Sequence, residues 1–287
     1  MDFRNSRNWW RDIRYALRTL GRSPGFTTVA VIALALGIGA DTAMFTIVNG
    51  AFSWNAGLDC IDRVVFVSTT DASHSQEFGA SYPDFRDLSA RVKSLAGLAA
   101  YSMVPANLSD SIGLLDRYWC VQTSANGFSA VGQKPLFGRD FMPADERPGA
   151  PQVLMLAHHV WQQRYGADPK ILGKIVRVNE MPMTVIGVMP PDRRFPEDTD
   201  LWTTLVPDSA LERRDNRRLM LFGRFADGVR MASARTEMDA LARQLAAEYP
   251  DADKGLTAEV RPILEITGLY RLRPLLLRYS PPSDLSC

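Results

Sequence analysis

Cysteine and histidine are scarce in this chain, whose 287 residues hold three of each. Cys60, Cys120 and Cys287 show none of the paired spacings that zinc sites use and make no disulfide framework. A Cys60–Cys120 bridge is chemically permitted in an oxidising compartment, although unpaired thiols are the plainer expectation for a domain this size. His74 sits in a polar stretch. His158 and His159 are adjacent, so on a helix they diverge by about 100° rather than converging on a metal as an i, i+4 pair does. They read as boundary or surface residues. Net charge is nearly absent as well: 33 Lys and Arg against 32 Asp and Glu leave a formal +1. That balance argues against nucleic acid as a partner, because phosphate binding draws on a surplus of basic charge.

Sites for nucleotide or nucleophilic chemistry are missing too. Gly173-Lys174 has the end of a phosphate loop, but Asp168 stands where the first glycine belongs and Ile175 where a hydroxyl would ligate magnesium. No ATP site of that type exists here. There is no Gly-x-Ser-x-Gly elbow, and no serine, histidine and acid can be nominated as a set. The pairs Asp84 with Asp87 and Asp251 with Asp253 read as ordinary solvated carboxylates. The expectation is a protein with no catalytic residue, cofactor or metal ligand, and so no enzyme. Asn107-Leu108-Ser109 fits a glycosylation pattern, a signal without weight in a bacterial cell. No internal repeat or low-complexity segment stands out.

What the chain does have is one long apolar run, Phe26–Phe52, interrupted by a single charge at Asp41. A spanning helix needs roughly 20 apolar residues to cross about 30 Å of hydrocarbon, and lipid leaves the backbone no partners but its own. The run meets that length. A cleaved signal peptide is the rival reading, but its apolar core is only about 7–15 residues and ends at a small-x-small site; a buried core helix is the third, kept open by Asp41 and Thr42. Arg4, Arg7, Arg11, Arg14, Arg18 and Arg22 precede the run, whereas Asp59 and Asp62 follow it. The positive-inside rule keeps the N-terminus cytoplasmic and sends the bulk of the chain across.

Residues 1–25 form a basic segment in which Trp9, Ile13, Ala16 and Leu20 share a helical face opposite Arg11, Arg14 and Arg18. Such a helix suits the lipid interface, with an ordinary cytosolic helix as the alternative. Gly21–Gly25 breaks it before the span, residues 26–52. Within the span Ala33, Gly37 and Ala40 recur at three- and four-residue steps, the pattern that lets helices approach closely in lipid. Asp41 extends that face, because an ionisable group near mid-membrane normally turns toward protein or water. A bundle-facing carboxyl hydrogen-bonded to a neighbour is the expected role, and proton relay the lesser one.

Beyond the span, residues 53–267 mix periods of two and 3.6. Strands are expected at Val64–Ser68, Tyr118–Thr123, Gln152–Leu156 and Thr257–Pro262, and a hairpin joins Ile175–Asn179 to Met183–Val188. Asp200–Trp202 and Leu219–Phe225 read as a further strand pair. Ser81-Tyr82-Pro83-Asp84 opens a helix running to about Leu95, with Ser81 as cap. Ala157–Tyr165 forms another helix, and Ala232–Tyr249 is the most regular one, with Ala234, Met238, Leu241, Leu245 and Tyr249 on one face. Ser124–Val131 is a short helix or turn and Lys134–Pro148 a loop. The mixture implies an α+β fold of two small sheets, each backed by helices. Residues 268–287 form a divergent tail, expected to be disordered.

At this point the residues resemble a family, the MacB/FtsX-like permeases of ABC-type transporters, and in particular the duplicated orphan permeases. The resemblance lies in Asp12–Leu20 leading to Ser23–Thr27, in Leu34–Ala40, in Tyr82-Pro83-Asp84-Phe85-Arg86-Asp87-Leu88, and in Val160–Gly166, Val185–Pro191 and Glu237–Ala242. It implies one N-terminal span, a MacB-like periplasmic core domain of two α+β subdomains, and three further spans forming the FtsX-like part. The implied role is mechanical: membrane helices shared by two permease copies pass movement from a cytoplasmic ATPase to the periplasmic domain. Expected partners are therefore membrane lipid, a second permease copy or further FtsX-like spans, and a separate ATPase, with no nucleic acid. The sequence departs from the family pattern at Asp41, where an uncharged polar residue is commoner, and after about Gly268, where the further spans do not follow. A truncated permease subunit in the inner membrane is the expectation. A singly anchored periplasmic binding module is the alternative.

Overall fold

The computed structural model describes residues 14, 15, 18, 23–52, 61–71, 77–109, 116–191, 195–196, 199–253 and 255–263. The tail at 268–287, the basic segment apart from Arg14, Tyr15, Arg18 and residues 23–25, and the residues Cys60, His74 and Cys287 lie outside that range. The chain divides into two compact units, Met1–Trp54 and Asn55–Cys287.

The first unit is built on helix α1, Pro24–Phe52, of 29 residues. Pro24 is favoured at the first helical position, where its missing N–H costs nothing. The Thr27 and Thr28 hydroxyls donate to the carbonyls of Ser23 and Pro24 at 3.0 and 2.8 Å. The expected break at Gly21–Gly25 is therefore shorter, because the helix already runs from Pro24. Phe26, Val29, Leu34, Leu36 and Ile38 are all exposed along it. Among the described residues no helix is long and apolar enough to cross a membrane, so the expected span rests on the sequence alone.

The second unit begins with strand β1, Val64–Asp71, and ends with β11, Leu256–Pro262. Between them lie β2 (Glu77–Phe78), α2 (Tyr82–Arg91), β3 (Leu95–Ser109), β4 (Asp116–Thr123), α3 (Gly127–Ala130), β5 (Phe137–Gly138), β6 (Val153–Leu156) and α4 (His158–Tyr165). β7 (Ile175–Val178), β8 (Met181–Val188), β9 (Leu201–Thr204), β10 (Met220–Phe225), α5 (Met231–Glu248) and α6 (Pro250–Asp253) follow. Most of these match the expected elements within a few residues. Ser81 caps α2 as read, its hydroxyl accepting from the Asp84 amide at 3.1 Å.

One difference reorganises the picture. The strands form a single eleven-stranded sheet in the order β11-β1-β10-β3-β4-β9-β6-β8-β5, with β2 on β1 and β7 joining β3 to β8. The expectation of two small sheets is thereby corrected. The cause is β3, whose 15 residues pair with β10 at one end, with β4 through the middle and with β7 at Leu108 and Ser109. The ladders β3–β4–β9–β6–β8–β7 return to β3 and close a ring, which leaves those strands no bare edge. Likewise β9 and β10 are not partners: β9 runs parallel to β4, whereas β10 lies between β1 and β3.

The other half is an open antiparallel sheet covered on one face by α2 and α5. Val65, Val67, Leu98, Leu221 and Val260 meet Phe85, Leu88, Ala234, Met238 and Leu245 in one core, with Leu241 packed at its edge. On the opposite face Phe66, Tyr101 and Phe222 pack with Phe195, the rings of Phe195 and Phe222 edge to face at 4.9 Å. Both faces of the sheet are covered where β1 meets β10, so these strands do not alternate apolar with polar there. Two links hold α5 to α2. Arg91 grips Glu248 through two bonds of 2.8 Å, and Glu237 accepts from the amides of Lys93 and Ser94 at 3.0 and 2.7 Å.

Candidate functional site

The chain enters and leaves this domain at one place. Val65 on β1 stands opposite Pro262 on β11, and the two strands stay in register through Asp71 opposite Leu256. Whatever precedes β1 and whatever follows β11 is thus tied to the same end of the sheet through a two-stranded stem. The ladder between the two strands runs over seven paired positions.

Beside the far end of the stem lies a cluster of charges. Arg214 binds Asp84 and, at 2.6 Å, Asp87, both on α2. Arg217 binds Asp253 at the end of α6 and reaches Asp84 at 3.1 Å. The Tyr249 ring stacks on Arg214, its centroid 3.4 Å from the guanidinium carbon, a cation–π contact that closes the outer side. Asp84 is only 4% exposed and Asp253 only 3%. The expectation that Asp84, Asp87 and Asp253 are ordinary solvated carboxylates is corrected. They answer the guanidiniums of a loop that packs between α2 and α6. Asp251, by contrast, is exposed as expected.

Burial, and after it the charge of Asp84, push the Asp253 carboxyl up to about 6 against the opposing pull of Arg217 and Arg214. Its Oδ2 is buried without a hydrogen bond and lies 3.6 Å from Arg214 Nη1. A cavity of about 30 Å³ adjoins it, lined by Asp84, Arg217 and Asp253 on one side and by Leu88, Leu221 and Leu245 on the other. That volume suits one water rather than a ligand. Among the described residues no group of three or more histidine, cysteine or acidic side chains is arranged to hold a metal ion.

The residues singled out in the sequence fall elsewhere. Ala33, Gly37 and Asp41 lie on α1 and are exposed, and a Cβ built on Gly37 meets nothing within 4 Å. Ala40 lies in the same helix, its side chain outside the described set. The Thr42 hydroxyl turns back onto the Ile38 carbonyl at 2.7 Å. His158 and His159 are half-buried at the start of α4, as boundary residues. His159 Nε2 meets Asp200 Oδ1 at 2.8 Å, while Asp200 Oδ2 accepts from the Trp119 amide at 2.8 Å and fixes the start of β9 beside β4. His158 meets Trp161 edge to face. Cys120 is free and buried in β4.

Sequence reasoning missed Arg214 and Arg217. A signal was available: Arg213, Arg214, Arg217 and Arg218 crowd residues 212–218, where only Glu212 and Asp215 are acidic. So many cations beside so few anions imply acidic partners elsewhere in the fold.

The matches to known proteins agree with this architecture. The family model described as MacB-like periplasmic core domain matches residues 27–241. No curated protein matches the chain. A crystal structure of a domain assigned to a permease protein of Porphyromonas gingivalis is similar at a TM-score of 0.54 with 16% identity, over 71% of this chain and 92% of that one. The periplasmic region of MacB from Actinobacillus actinomycetemcomitans is similar at 0.52 with 14% identity, over 79% of this chain and 96% of that one. At such identities the structures speak for the fold, and the family match carries the assignment: the chain belongs to the MacB-like periplasmic core domain family.

Proposed function

We propose that this chain is a permease subunit of an ABC-type, MacB/FtsX-like transporter, in which the domain from β1 to β11 lies outside the cytoplasm and moves with the helices attached to its stem. The observation that carries the reading is the pairing of Val65 with Pro262. An insert whose two connections leave side by side is driven as one body by whatever moves them. The subunit performs no chemistry itself. Hydrolysis of ATP belongs to a separate cytoplasmic ATPase, and the domain turns that movement into export or into a change in a partner protein.

In this reading α1 is the membrane anchor. At about 1.5 Å per residue its length exceeds the hydrocarbon core, and its exposed Phe26, Val29, Leu34 and Ile38 suit lipid. Ala33, Gly37, Ala40 and Asp41 form the face that packs on further permease helices, in the same polypeptide or in a second copy. The arginines at residues 1–25 hold the N-terminus in the cytoplasm.

Two measurements test this. A reporter enzyme fused near residue 150 is expected to be active only when exported, and activity confined to the cytosol removes the topology. Cysteines at Ala33 or Gly37 are expected to crosslink to a membrane helix. A chain that is exported yet never crosslinks there is a singly anchored binding module instead.

A further inference from the structure

Three carboxylates, Asp84, Asp87 and Asp253, meet two guanidiniums in the cluster between α2, α6 and the 206–219 segment. Both arginines keep their charge at any physiological pH. With every carboxylate ionised, the cluster holds one negative charge too many for a buried place. The surplus falls on Asp253. Its Oδ1 takes Arg217, its Oδ2 has no hydrogen bond, and Asp84 lies within hydrogen-bonding reach. A proton on Asp253 gives that orphan oxygen a donor, lets it bond to Asp84 and balances the charges two against two.

The place of Asp253 in the fold gives this proton a consequence. The amides of Ala252 and Asp253 bond back to the Tyr249 carbonyl at 3.1 and 2.9 Å, so α6 is a corner folded onto the end of α5. β11, the outgoing half of the stem, starts just beyond it at Leu256. Asp253 therefore pins the corner from which the stem departs.

We propose that Asp253 is a proton-operated latch: protonated, it closes the cluster with Asp84, Arg214 and Arg217 and holds the α5–α6 corner and the head of β11 against α2; ionised, it overcharges the cluster and loosens that corner. The groups that face it are Asp84 and Asp87 on α2 and Arg214 and Arg217 in the 206–219 segment. One layer out stand Tyr249 and Glu248, the latter held by Arg91. The described histidines belong to α4, with His159 on Asp200. The sign follows from the direction of the shift. Burial and Asp84 keep the Asp253 carboxyl at about 6, above its ordinary 3.8, so the closed form retains a proton that the open form has shed. The closed form gains fully below the ordinary value and loses that gain as pH rises through the folded one. The latch stands on the cluster, so it holds or fails independently of the transport reading.

Hydrogen exchange on the full-length chain tests it. After correction for intrinsic exchange, amide protection over residues 250–262 is expected to fall at least about tenfold between about pH 4.5 and about pH 6.5 and then level off, since one pKa unit corresponds to a factor of about ten. The β3–β4 ladder is expected to stay unchanged. Asp253→Asn, which keeps a donor at all pH, is expected to hold the low-pH level throughout, and the surface control Asp215→Asn to keep the wild-type transition. A flat wild-type profile, or an Asp253→Asn profile that still shows the transition, overturns the proposal. Should Asp253→Asn fail to accumulate, the carbon-13 carboxyl titration of wild-type Asp253 decides: a midpoint near about 6 supports the latch, and one in the ordinary range near about 4 overturns it.

Discussion

The hydroxyls of Thr70 and Thr257 meet at 3.0 Å across β1 and β11, 187 residues apart in sequence. Two side chains that touch across a ladder are within reach of a disulfide when both become cysteine. In a background with Cys60 and Cys287 replaced by serine, Thr70→Cys with Thr257→Cys is expected to oxidise spontaneously, and either single variant is not. Closing so long a loop stabilises by about 3 kcal/mol or more in the chain-entropy account. The checks are a faster band on a non-reducing gel and a higher unfolding midpoint that reductant reverses. A double variant that stays reduced under oxidising conditions contradicts the register of the stem.

Asp84 answers two arginines at once, one through each carboxylate oxygen. Removing it leaves Arg214 on Asp87 and Arg217 on Asp253, two charges against two, but takes a charged hydrogen bond from these largely buried guanidiniums, a loss of about 1.5–3 kcal/mol. Asp84→Ala is expected to lower the urea midpoint at neutral pH by that amount and Asp84→Asn by less, since the amide oxygen still accepts. Asp215→Ala, which breaks only the exposed pair with Arg213, is expected to leave the midpoint where it is.

Gly223 lies where β10 comes too close to β3 for a side chain. A Cβ placed on it sits 2.5 Å from the Gly97 carbonyl oxygen and 3.2 Å from a Leu95 methyl, next to the register shift at Arg224 and Phe225. Backbone cannot yield there as the far end of a side chain would. Gly223→Ala is expected to cost about 1–3 kcal/mol as an overpacking change, whereas Gly149→Ala costs through its positive φ of 83° and not through crowding, since nothing lies within 4 Å. Denaturant titration of the two variants compares them.

Local chemistry was legible wherever one residue type decides it. Ser81 and Pro83 set the start of α2, the apolar face of α5 announced a helix over a sheet, and Gln152–Leu156 read as a buried strand for want of polar residues. β3 was not legible. Its sequence, LAGLAAYSMVPANLS, is rich in alanine and carries Gly97 and Pro105, and residues 98–102 are all buried, so no period of two appears. Without β3 the two halves look like separate sheets. The hairpin turn was placed late for a similar reason: Asn179 and Glu180 both take positive φ, 48° and 68°, and make a two-residue turn, leaving Pro182 in the strand. The charge cluster escaped because its members are far apart along the chain, Arg214 lying 130 residues from Asp84 and Arg217 36 from Asp253. Spacing arguments see only neighbours.

Cys120 offers a test of the ring itself. It is 2% exposed in β4, with Thr203 of the neighbouring β9 at 3.7 Å from its sulfur, and burial pushes its thiol from the ordinary 9.0 up to about 12. The thiolate is the reactive form, so in the Cys60→Ser, Cys287→Ser background the folded chain is expected to resist maleimide and to label at the rate at which the ring opens. The same shift has a sign for stability. The unfolded chain ionises this thiol above about pH 9 while the folded one does not, so the contribution is intact below pH 9 and drains away toward pH 12, by about 1.4 kcal/mol per pH unit. Cys120→Ala gives up some packing at neutral pH but is expected to lose less stability on going from pH 8 to pH 10 than the parent. Tyr82 and Tyr118, whose phenols burial also raises, remain in both proteins and cancel in the comparison. Parallel alkaline profiles for the two proteins, or rapid labelling of the native chain, would mean that water reaches the β4–β9 ladder and that the ring is open there.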